Sequence, residues 1–203
     1  MRVCVISGQS GIGKDTVISY LYEFKRFPSL TTRPIRKGEI DGVNYHFVSR
    51  QEFLNEKKHG RLLDCISISG YLYGFPIEDF LEQEGNYALN LVVYSGLAVR
   101  RLIYQAKLFY LTFPDKNTQI ERLKKRGMSD YEIGVRLRDD PNEDKAPSFY
   151  DREIVNHNSF QTAMQIAKEM RYDTPSYPRI GKKRFDGRRL PIFRGNQDCD
   201  WDG

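Results

Sequence analysis

The chain has 203 residues, of which 39% are hydrophobic and 29% are charged, and its formal net charge is +5. This length suits one α/β core, and no apolar run approaches the length of a membrane-spanning helix, which excludes a helical membrane protein. The cysteines and histidines are scattered without the paired spacing of a zinc site. Because no charged-then-apolar leader precedes the first predicted strand, we expect a cytoplasmic protein.

A glycine-rich loop joins the first predicted strand to the first predicted helix. The strand is the β-branched run Val3–Ile6, and Val17, Leu21 and Phe24 recur after the loop at helical spacing. The loop between them is Gly8-Gln9-Ser10-Gly11-Ile12-Gly13-Lys14-Asp15-Thr16. A strand, a glycine-rich loop and a helix in this order are typical of a phosphate-binding loop.

This loop has the chemistry that nucleotide binding requires. Its glycines let backbone amides converge on phosphate oxygens, the helix N-terminus adds partial positive charge, and Lys14 can reach the bridging and terminal phosphates. Thr16 can place its hydroxyl on Mg²⁺, whereas Asp15 stands where Ser or Thr more commonly follows the lysine. We therefore predict ATP and Mg²⁺ as ligands, with Thr16 on the metal. The predicted ATP-binding residues of the loop are Gly8, Ser10, Gly11, Gly13, Lys14, Asp15 and Thr16.

The following segment concentrates groups that bind a phosphate dianion. It contains Arg33, Arg36, the pair Gly38-Glu39 and the run Tyr45-His46-Phe47. Two guanidinium forks and tyrosine hydroxyls match the oxygens of a nucleoside monophosphate. Together with the loop, this segment resembles the substrate-binding segment of guanylate kinases, and the resemblance extends from the start of the chain to about position 158.

The resemblance implies a P-loop NTPase fold, which is a three-layer α/β sandwich with a parallel sheet, an inserted monophosphate-binding subdomain and a helical lid. It places the guanylate-kinase-like domain at 1–172, the monophosphate-binding region at about 29–86 and the lid at about 115–145. It also implies which residues bind the phosphate of the acceptor nucleotide, with Glu39 orienting the cluster. These residues are Arg33, Arg36, Tyr45 and Tyr73.

The resemblance further predicts how the base is recognised. A guanine-selective site needs a carboxylate for the donor edge and hydroxyl or amide groups for the acceptors. By position the carboxylate is Asp64 and one hydroxyl is Ser29, but the second position is Phe75, which cannot hydrogen-bond a purine. Phe75 either stacks on the base and narrows the pocket, or packs in the core beside Ile77 and Phe80. A shifted or relaxed base preference follows, because one lost contact weakens discrimination by on the order of 1–3 kcal/mol.

The apolar run Tyr87–Tyr94 is predicted to be a buried parallel strand. Guanylate kinases end the matching strand with an acid-x-acid pair near the magnesium and the substrate, and here those positions are Asn90 and Val92. Asn90 is still expected on the substrate, but valine cannot help to hold a hydrated Mg²⁺. Either Thr16, the nucleotide and another acid hold the metal, with Asp15 nearest in sequence, or phosphoryl transfer is slow or absent.

The next segment resembles the arginine-bearing lid of nucleoside monophosphate kinases. Leu108–Phe113 is predicted to be a strand, and Gln119–Arg126 a helix that ends at Gly127. The resemblance places lid arginines over the two phosphates, where charge spreads over the transferred group. The predicted catalytic residues are Lys14, Arg126 and Arg136.

The last predicted elements are a strand within 150–158 and a helix that carries Ala163, Ile166, Ala167 and Met170. By resemblance Asn156, near the end of that strand, lies close to the adenine of ATP. The acidic loop at 139–144 is either solvated or metal-binding. Residues 173–203 are rich in proline, glycine and basic residues without periodicity, which predicts a solvated tail or a weak contact for nucleic acid or a second subunit.

These observations predict an ATP-dependent nucleoside monophosphate kinase that phosphorylates GMP, dGMP or a related nucleotide with Mg²⁺. Two alternatives stay open. One is a catalytically weak guanylate-kinase-like module that binds phosphorylated ligands. The other is a ribose-bisphosphate phosphokinase-like enzyme, which the Gly-Lys-Asp run and the pair Ser95-Gly96 also resemble. We expect a monomer or homodimer with no membrane contact.

Overall fold

A computed structural model of the protein describes residues 1–138, 140 and 148–172. The predicted tail at 173–203 and most of the acidic loop at 139–144 lie outside these residues. In the described ranges, no helix is long and apolar enough to cross a membrane. The elements in chain order are β1 (Arg2–Gly8), α1 (Lys14–Ser19), β2 (Lys25–Arg26), β3 (Ser29–Thr31), β4 (Tyr45–Phe47), α2 (Arg50–Lys58), β5 (Ile66–Ile68), β6 (Tyr71–Gly74), α3 (Ile77–Leu81), β7 (Asn86–Asn90), α4 (Val93–Leu102), β8 (Lys107–Thr112), α5 (Lys116–Lys125), α6 (Asp130–Arg138), β9 (Arg152–Val155) and α7 (Ser159–Tyr172).

Five parallel strands form the central sheet, in the order β2-β7-β1-β8-β9. Alternate residues of β1 face opposite sides of this sheet: Cys4 and Ile6 pack into one core cluster, and Val3 and Val5 into another. Helices α1 and α7 contribute to the first cluster, and α4 to the second. Because helices cover both of its faces, the sheet is buried, and the predicted three-layer α/β fold is confirmed.

A smaller sheet of four strands, in the order β4-β3-β6-β5, is formed by the chain between β2 and β7. β3 pairs with β4 in parallel, and β6 is antiparallel to both β3 and β5. Helix α2 packs against this sheet through Phe53, which is buried against Leu30 and Leu72. This sheet carries three residues that are predicted to bind substrate: Ser29, Tyr45 and Tyr73.

The first helix is shorter than its sequence pattern predicts. Helix α1 ends at Ser19, so Leu21 and Phe24 lie beyond it. Their amides donate to the carbonyls of Ile18 and Leu21 at 3.0 and 2.8 Å, three residues back, which keeps the chain tightly turned. Both side chains remain buried in the cluster around α1, so their spacing reflects burial rather than a continuous helix.

The apolar run Tyr87–Tyr94 is also not a single strand, which corrects the sequence prediction. Strand β7 ends at Asn90, and α4 begins at Val93. Leu91 and Val93 are 6% and 4% exposed, so both the end of the strand and the start of the helix are buried. Hydrophobicity therefore continues across the boundary and cannot mark it.

Candidate functional site

The glycine-rich loop joins β1 to α1 as predicted, and its geometry depends on glycine. Gly8 has a φ of +137°, and a Cβ atom there would lie 2.2 Å from the carbonyl oxygen of Leu111 in the neighbouring strand. Gly13 caps α1 in the left-handed conformation with a φ of 97°. The ammonium of Lys14 donates to the carbonyls of Gly8 and Gln9 at 2.6 and 3.2 Å. The lysine is thus held over the loop at the N-terminus of α1, where an anion is favoured.

Two residues of α5, and Asn156 directly after β9, hydrogen-bond to this loop or support it. The Gln119 amide donates to the Ser10 carbonyl at 3.1 Å, and the Arg122 guanidinium donates to the Ile12 carbonyl at 3.1 Å. The Asn156 amide also donates to the Ile12 carbonyl, at 2.6 Å, and its oxygen accepts from Thr162 at 3.0 Å. Buried with 0% exposure, Asn156 holds the loop rather than facing the cavity described next.

One cavity brings together almost all of the predicted site residues. Gly8 and Asn156 are the predicted residues that do not line it. The predicted residues that do are Ser10, Gly11, Gly13, Lys14, Asp15, Thr16, Ser29, Arg33, Arg36, Glu39, Tyr45, Asp64, Tyr73, Phe75, Asn90, Arg126 and Arg136. The cavity extends from the glycine-rich loop to the small sheet.

Arginines dominate the electrostatics of this cavity. Burial lowers the pKa of Lys14, and Arg136 and Arg126 lower it further, while Asp140 and Asp15 act in the opposite direction. Burial and the neighbouring Arg36 likewise lower the pKa of Arg126. Cations that disfavour one another's charge in this way create a strong site for a polyanion.

The arginine of the small sheet is fixed by an ion pair. Arg33 is 5% exposed, and its two terminal nitrogens donate to the two carboxylate oxygens of Glu39 at 2.7 and 2.6 Å. Glu39 also accepts from the backbone amide of Arg36 at 2.8 Å. The rings of Tyr45 and Phe47 lie 5.2 and 5.3 Å from the Arg33 guanidinium. Glu39 therefore ties the Arg33 guanidinium to the backbone at Arg36.

Asp64 is a carboxylate that lines the cavity together with Phe75 and Ser95. Its Oδ1 accepts from the Phe75 amide at 2.9 Å, and its Oδ2 accepts from the Ser95 hydroxyl. Burial raises the pKa of Asp64, although both hydrogen bonds lower it. Phe75 is 1% exposed and packs edge-on against Phe80, so its ring is a core residue that also borders the cavity.

Arg136 and Asp140 contact the glycine-rich loop at Ser10. Arg126 follows α5 directly, and Arg136 lies on α6 and donates to the Ser10 hydroxyl. The carboxylate of Asp140 accepts from the Ser10 amide at 2.6 Å. The loop amide and its neighbouring cations therefore hold an anionic oxygen in this structure.

Sequence reasoning missed the roles of Ser95 and Arg26, and it treated Asp140 as part of an acidic loop. Ser95 bonds to a residue 31 positions away, and Arg26 pairs with Asp15 across the edge of the sheet. No local motif records such contacts, because they depend on the register of β2 and β7 and on where α4 begins. The acidic run at 139–144 was the available signal for Asp140.

This fold and this cavity define a P-loop nucleotide-binding protein with a second anion site beside the loop. A family model described as guanylate kinase matches residues 1–172. The guanylate kinase of Frankia casuarinae is 34% identical over 180 residues, covering 84% of this chain and 97% of that protein. The guanylate kinase of a Synechococcus species is 34% identical over 175 residues, covering 81% of this chain and 80% of the relative.

A solved structure agrees with these sequence relatives. The crystal structure of guanylate kinase from Anaplasma phagocytophilum superposes with a TM-score of 0.59 at 27% identity, covering 83% of this chain and 84% of that one. The chain belongs to the guanylate kinase family. It is therefore a phosphotransferase of the nucleoside monophosphate kinase class.

Proposed function

We propose that this protein transfers the γ-phosphoryl group of ATP to GMP, dGMP or a closely related nucleotide. The observation that carries this proposal is the cavity that Lys14, Arg36 and Arg136 share, with a phosphate loop at one end and a carboxylate-bearing pocket at the other. Two nucleotides bound there meet phosphate to phosphate, as direct in-line transfer requires.

Each cation has a defined task in this proposal. Lys14, at the N-terminus of α1, binds the β- and γ-phosphates of ATP together with the loop amides. Arg33 and Arg36 bind the acceptor phosphate, to which Tyr45 and Tyr73 add hydroxyls. Arg126 and Arg136 neutralise the charge that spreads over the transferred group, which is the main catalytic requirement of this reaction.

Mg²⁺ fits the oxygen donors beside the loop. The Thr16 hydroxyl and the Asp15 carboxylate line the same cavity, and hard oxygen ligands are those that Mg²⁺ prefers. Among the described residues no group of three or more His, Cys, Asp or Glu forms a metal cluster, which suits an ion held chiefly by phosphates and water. When bound, the ion supplies positive charge to the phosphate oxygens, while Thr16 holds it at the loop.

The base pocket supports guanine with weakened selectivity. Asp64 can accept from the N–H groups on guanine's donor edge, and Ser29 can donate to its O6. Phe75 offers no hydrogen bond, so bases without O6 lose less here than in a site with two hydroxyls. We propose that the protein acts in the cytoplasm, where nucleoside monophosphates and ATP are abundant.

The test is an ADP-release assay with ATP and Mg²⁺ against ribo- and deoxynucleoside monophosphates and ribose 1,5-bisphosphate. We expect turnover with GMP and dGMP, and Lys14→Ala should lower kcat by at least about 100-fold. Lys58→Ala, which removes an exposed lysine outside the cavity lining, is the control and should behave like the wild type.

Two other outcomes would replace the proposal. Turnover with ribose 1,5-bisphosphate alone would identify a ribose-bisphosphate phosphokinase-like enzyme. Binding of nucleoside monophosphates without turnover of any acceptor would identify a binding module, a function that Asn90 at the end of β7 and Val92 before α4 favour.

A further inference from the structure

Three elements converge on the carboxylate of Asp15. Asp15 lies in the first turn of α1, and its Oδ1 accepts from the Asn90 amide at 2.9 Å. The same oxygen accepts from the guanidinium of Arg26. Arg26 belongs to β2 and Asn90 ends β7, and these two strands are hydrogen-bonded neighbours. The carboxylate is therefore fixed beside the phosphate loop by groups from two strands of the central sheet.

Asp15 differs from the other acids that line the cavity. Glu39 is held by Arg33 and by the Arg36 amide, and Asp64 lies at the base end, where Ser95 and Phe75 contact it. Asp140 accepts a hydrogen bond from the Ser10 amide. Asp15 is adjacent to Thr16 in the chain and half of its side chain is exposed, so it is the acid placed to act beside the metal-binding hydroxyl.

The pairing of Asp15 with Asn90 is chemically complementary. An amide at position 90 donates to the carboxylate, whereas an acid at both positions would place like charges about 3 Å apart, which is strongly unfavourable. Since Val92, the residue before α4, also lacks a polar group, neither the end of β7 nor the start of α4 places an acid at positions 90 and 92. The negative charge beside the glycine-rich loop therefore comes from Asp15 of α1, and not from position 90 at the end of β7.

We propose that Asp15 is the carboxylate that completes the Mg²⁺–ATP site, and that Asn90 is its positioning residue. This inference rests on the proposed kinase function. Asp15 accepts hydrogen bonds from the hydration shell of the ion next to Thr16, and Arg26 and Asn90 fix its rotamer. Because the side chains of Asn90 and Asp15 are in direct contact, exchanging the amide and the acid between the two positions keeps one carboxylate at this contact.

The test uses three variants of the full chain: Asp15→Asn, Asn90→Asp and the double exchange. ATP affinity is measured calorimetrically with Mg²⁺ and with EDTA, in addition to kcat. We expect Asp15→Asn to reduce the Mg²⁺-dependent gain in ATP affinity by at least about tenfold, with the affinity in EDTA unchanged or improved. The value of kcat should fall by at least a similar factor.

The double variant, Asp15→Asn with Asn90→Asp, is the most discriminating of the three. It restores one acid and one amide at the same contact, so it should recover a substantial part of the Mg²⁺-dependent affinity that Asp15→Asn loses. Asn90→Asp alone should lower the stability of the protein, because two carboxylates repel each other, and it should not raise the affinity for Mg²⁺–ATP. Glu23→Gln removes a surface carboxylate that pairs with Arg2 and Arg171, and it should leave every reading unchanged.

Two results would overturn the inference. If Asp15→Asn lowers only the melting temperature and keeps its Mg²⁺-dependent affinity and kcat, Asp15 is a structural partner of Arg26. If the double exchange folds but binds Mg²⁺–ATP no better than Asp15→Asn, the charge is not exchangeable between the two positions. Nucleotide binding needs no acceptor, so these readings remain decisive even if the acceptor proves to differ from GMP.

Discussion

The proposed role of the Asp64 carboxylate in base recognition predicts a pH dependence. Its pKa is raised by burial, against the opposing hydrogen bonds from Ser95 and Phe75, so it lies above the ordinary value of about 3.9. The ionised carboxylate accepts hydrogen bonds from the base with both oxygens. Lowering the pH through the raised pKa protonates one of these oxygens, so one acceptor is lost. We therefore expect kcat/KM for GMP to fall on the acid side at a pH above that of a free aspartate.

The phosphates of the substrates also titrate, so the informative reading is the difference between wild type and Asp64→Asn. The variant should lose activity at neutral pH and lack the additional acid limb. In the folded protein a carboxyl with a raised pKa is stabilised in its protonated form, so stability attributable to Asp64 should rise as the pH falls through that pKa. Identical acid limbs in both proteins would contradict this assignment.

Phe75 is expected to affect both the stability of the fold and the proposed selectivity for the base. It is 1% exposed and packs against Phe27 and Phe80 while it borders the base pocket. Phe75→Thr should lower the free energy of unfolding by about 3 kcal/mol, because it leaves a cavity in the core. Its hydroxyl should raise the preference for GMP over the 2-aminopurine analogue, which lacks O6, by about tenfold.

Urea unfolding and paired KM values measure these two effects. Phe80→Thr is the matched control, since Phe80 is 0% exposed in the same cluster and is outside the cavity lining. It should lose similar stability with no change in preference. A shift of equal size in both variants would mean that selectivity follows general loosening of the core.

At the scale of elements, the loop between β3 and β4 depends on one ion pair. Glu39 binds the Arg33 guanidinium with both oxygens and also accepts from the Arg36 amide, so it folds the chain between the two arginines. Glu39→Gln weakens these charge-assisted bonds. We expect KM for the acceptor nucleotide to rise by about 10- to 100-fold, with KM for ATP unchanged.

Initial rates with each nucleotide varied separately check this prediction. Glu56→Gln is a suitable control because Glu56 forms a similar two-oxygen contact with Arg61 outside the cavity lining. Its kinetics should match those of the wild type. Equal increases in both KM values for Glu39→Gln would show that the ion pair supports the whole domain rather than the acceptor site.

The sequence predicted the elements that have a strong period and distinct ends. The first strand, the glycine loop and the strand at Leu108 are close to the observed β1, loop and β8. Boundaries failed where burial continues across them, as at the end of α1 and between β7 and α4. Strands of two to four residues, such as β2 in the central sheet and β6 in the small sheet, are too short to show a period.

The site was more predictable than these boundaries. Phosphate chemistry requires particular residue types at fixed spacing, and Lys14, Arg33 and Arg136 follow from that requirement together with the family resemblance. The contacts of Ser95 with Asp64 and of Arg26 with Asp15 could not be derived, because they join distant segments through the folded sheet. The structure brings most of the residues predicted from local motifs to one cavity, whereas the contacts that tertiary packing alone creates were not predicted.

For the molecule as a whole, the core is closed by its last described helix. Ala163, Ile166 and Met170 of α7 are buried in the same cluster as Val17 and Ile18 of α1. Since α1 begins at the phosphate loop, removing α7 would expose the buried face of the helix that follows this loop. Helix α7, the last helix of the domain predicted for 1–172, is therefore part of the core beneath the glycine-rich loop.

We expect a chain truncated after residue 172 to keep the melting temperature, kcat and both KM values of the full protein. A chain truncated after residue 158 should fail to fold, because the buried surface of α7 is lost from the core. Thermal unfolding and the ADP-release assay on both chains test this, and salt-dependent binding to single-stranded nucleic acid should be measured on the full and the 1–172 chains. If the 1–172 chain folds but loses activity, residues 173–203 take part in catalysis. If only nucleic-acid binding disappears, they form a separate basic contact surface, because such binding depends on phosphate neutralisation.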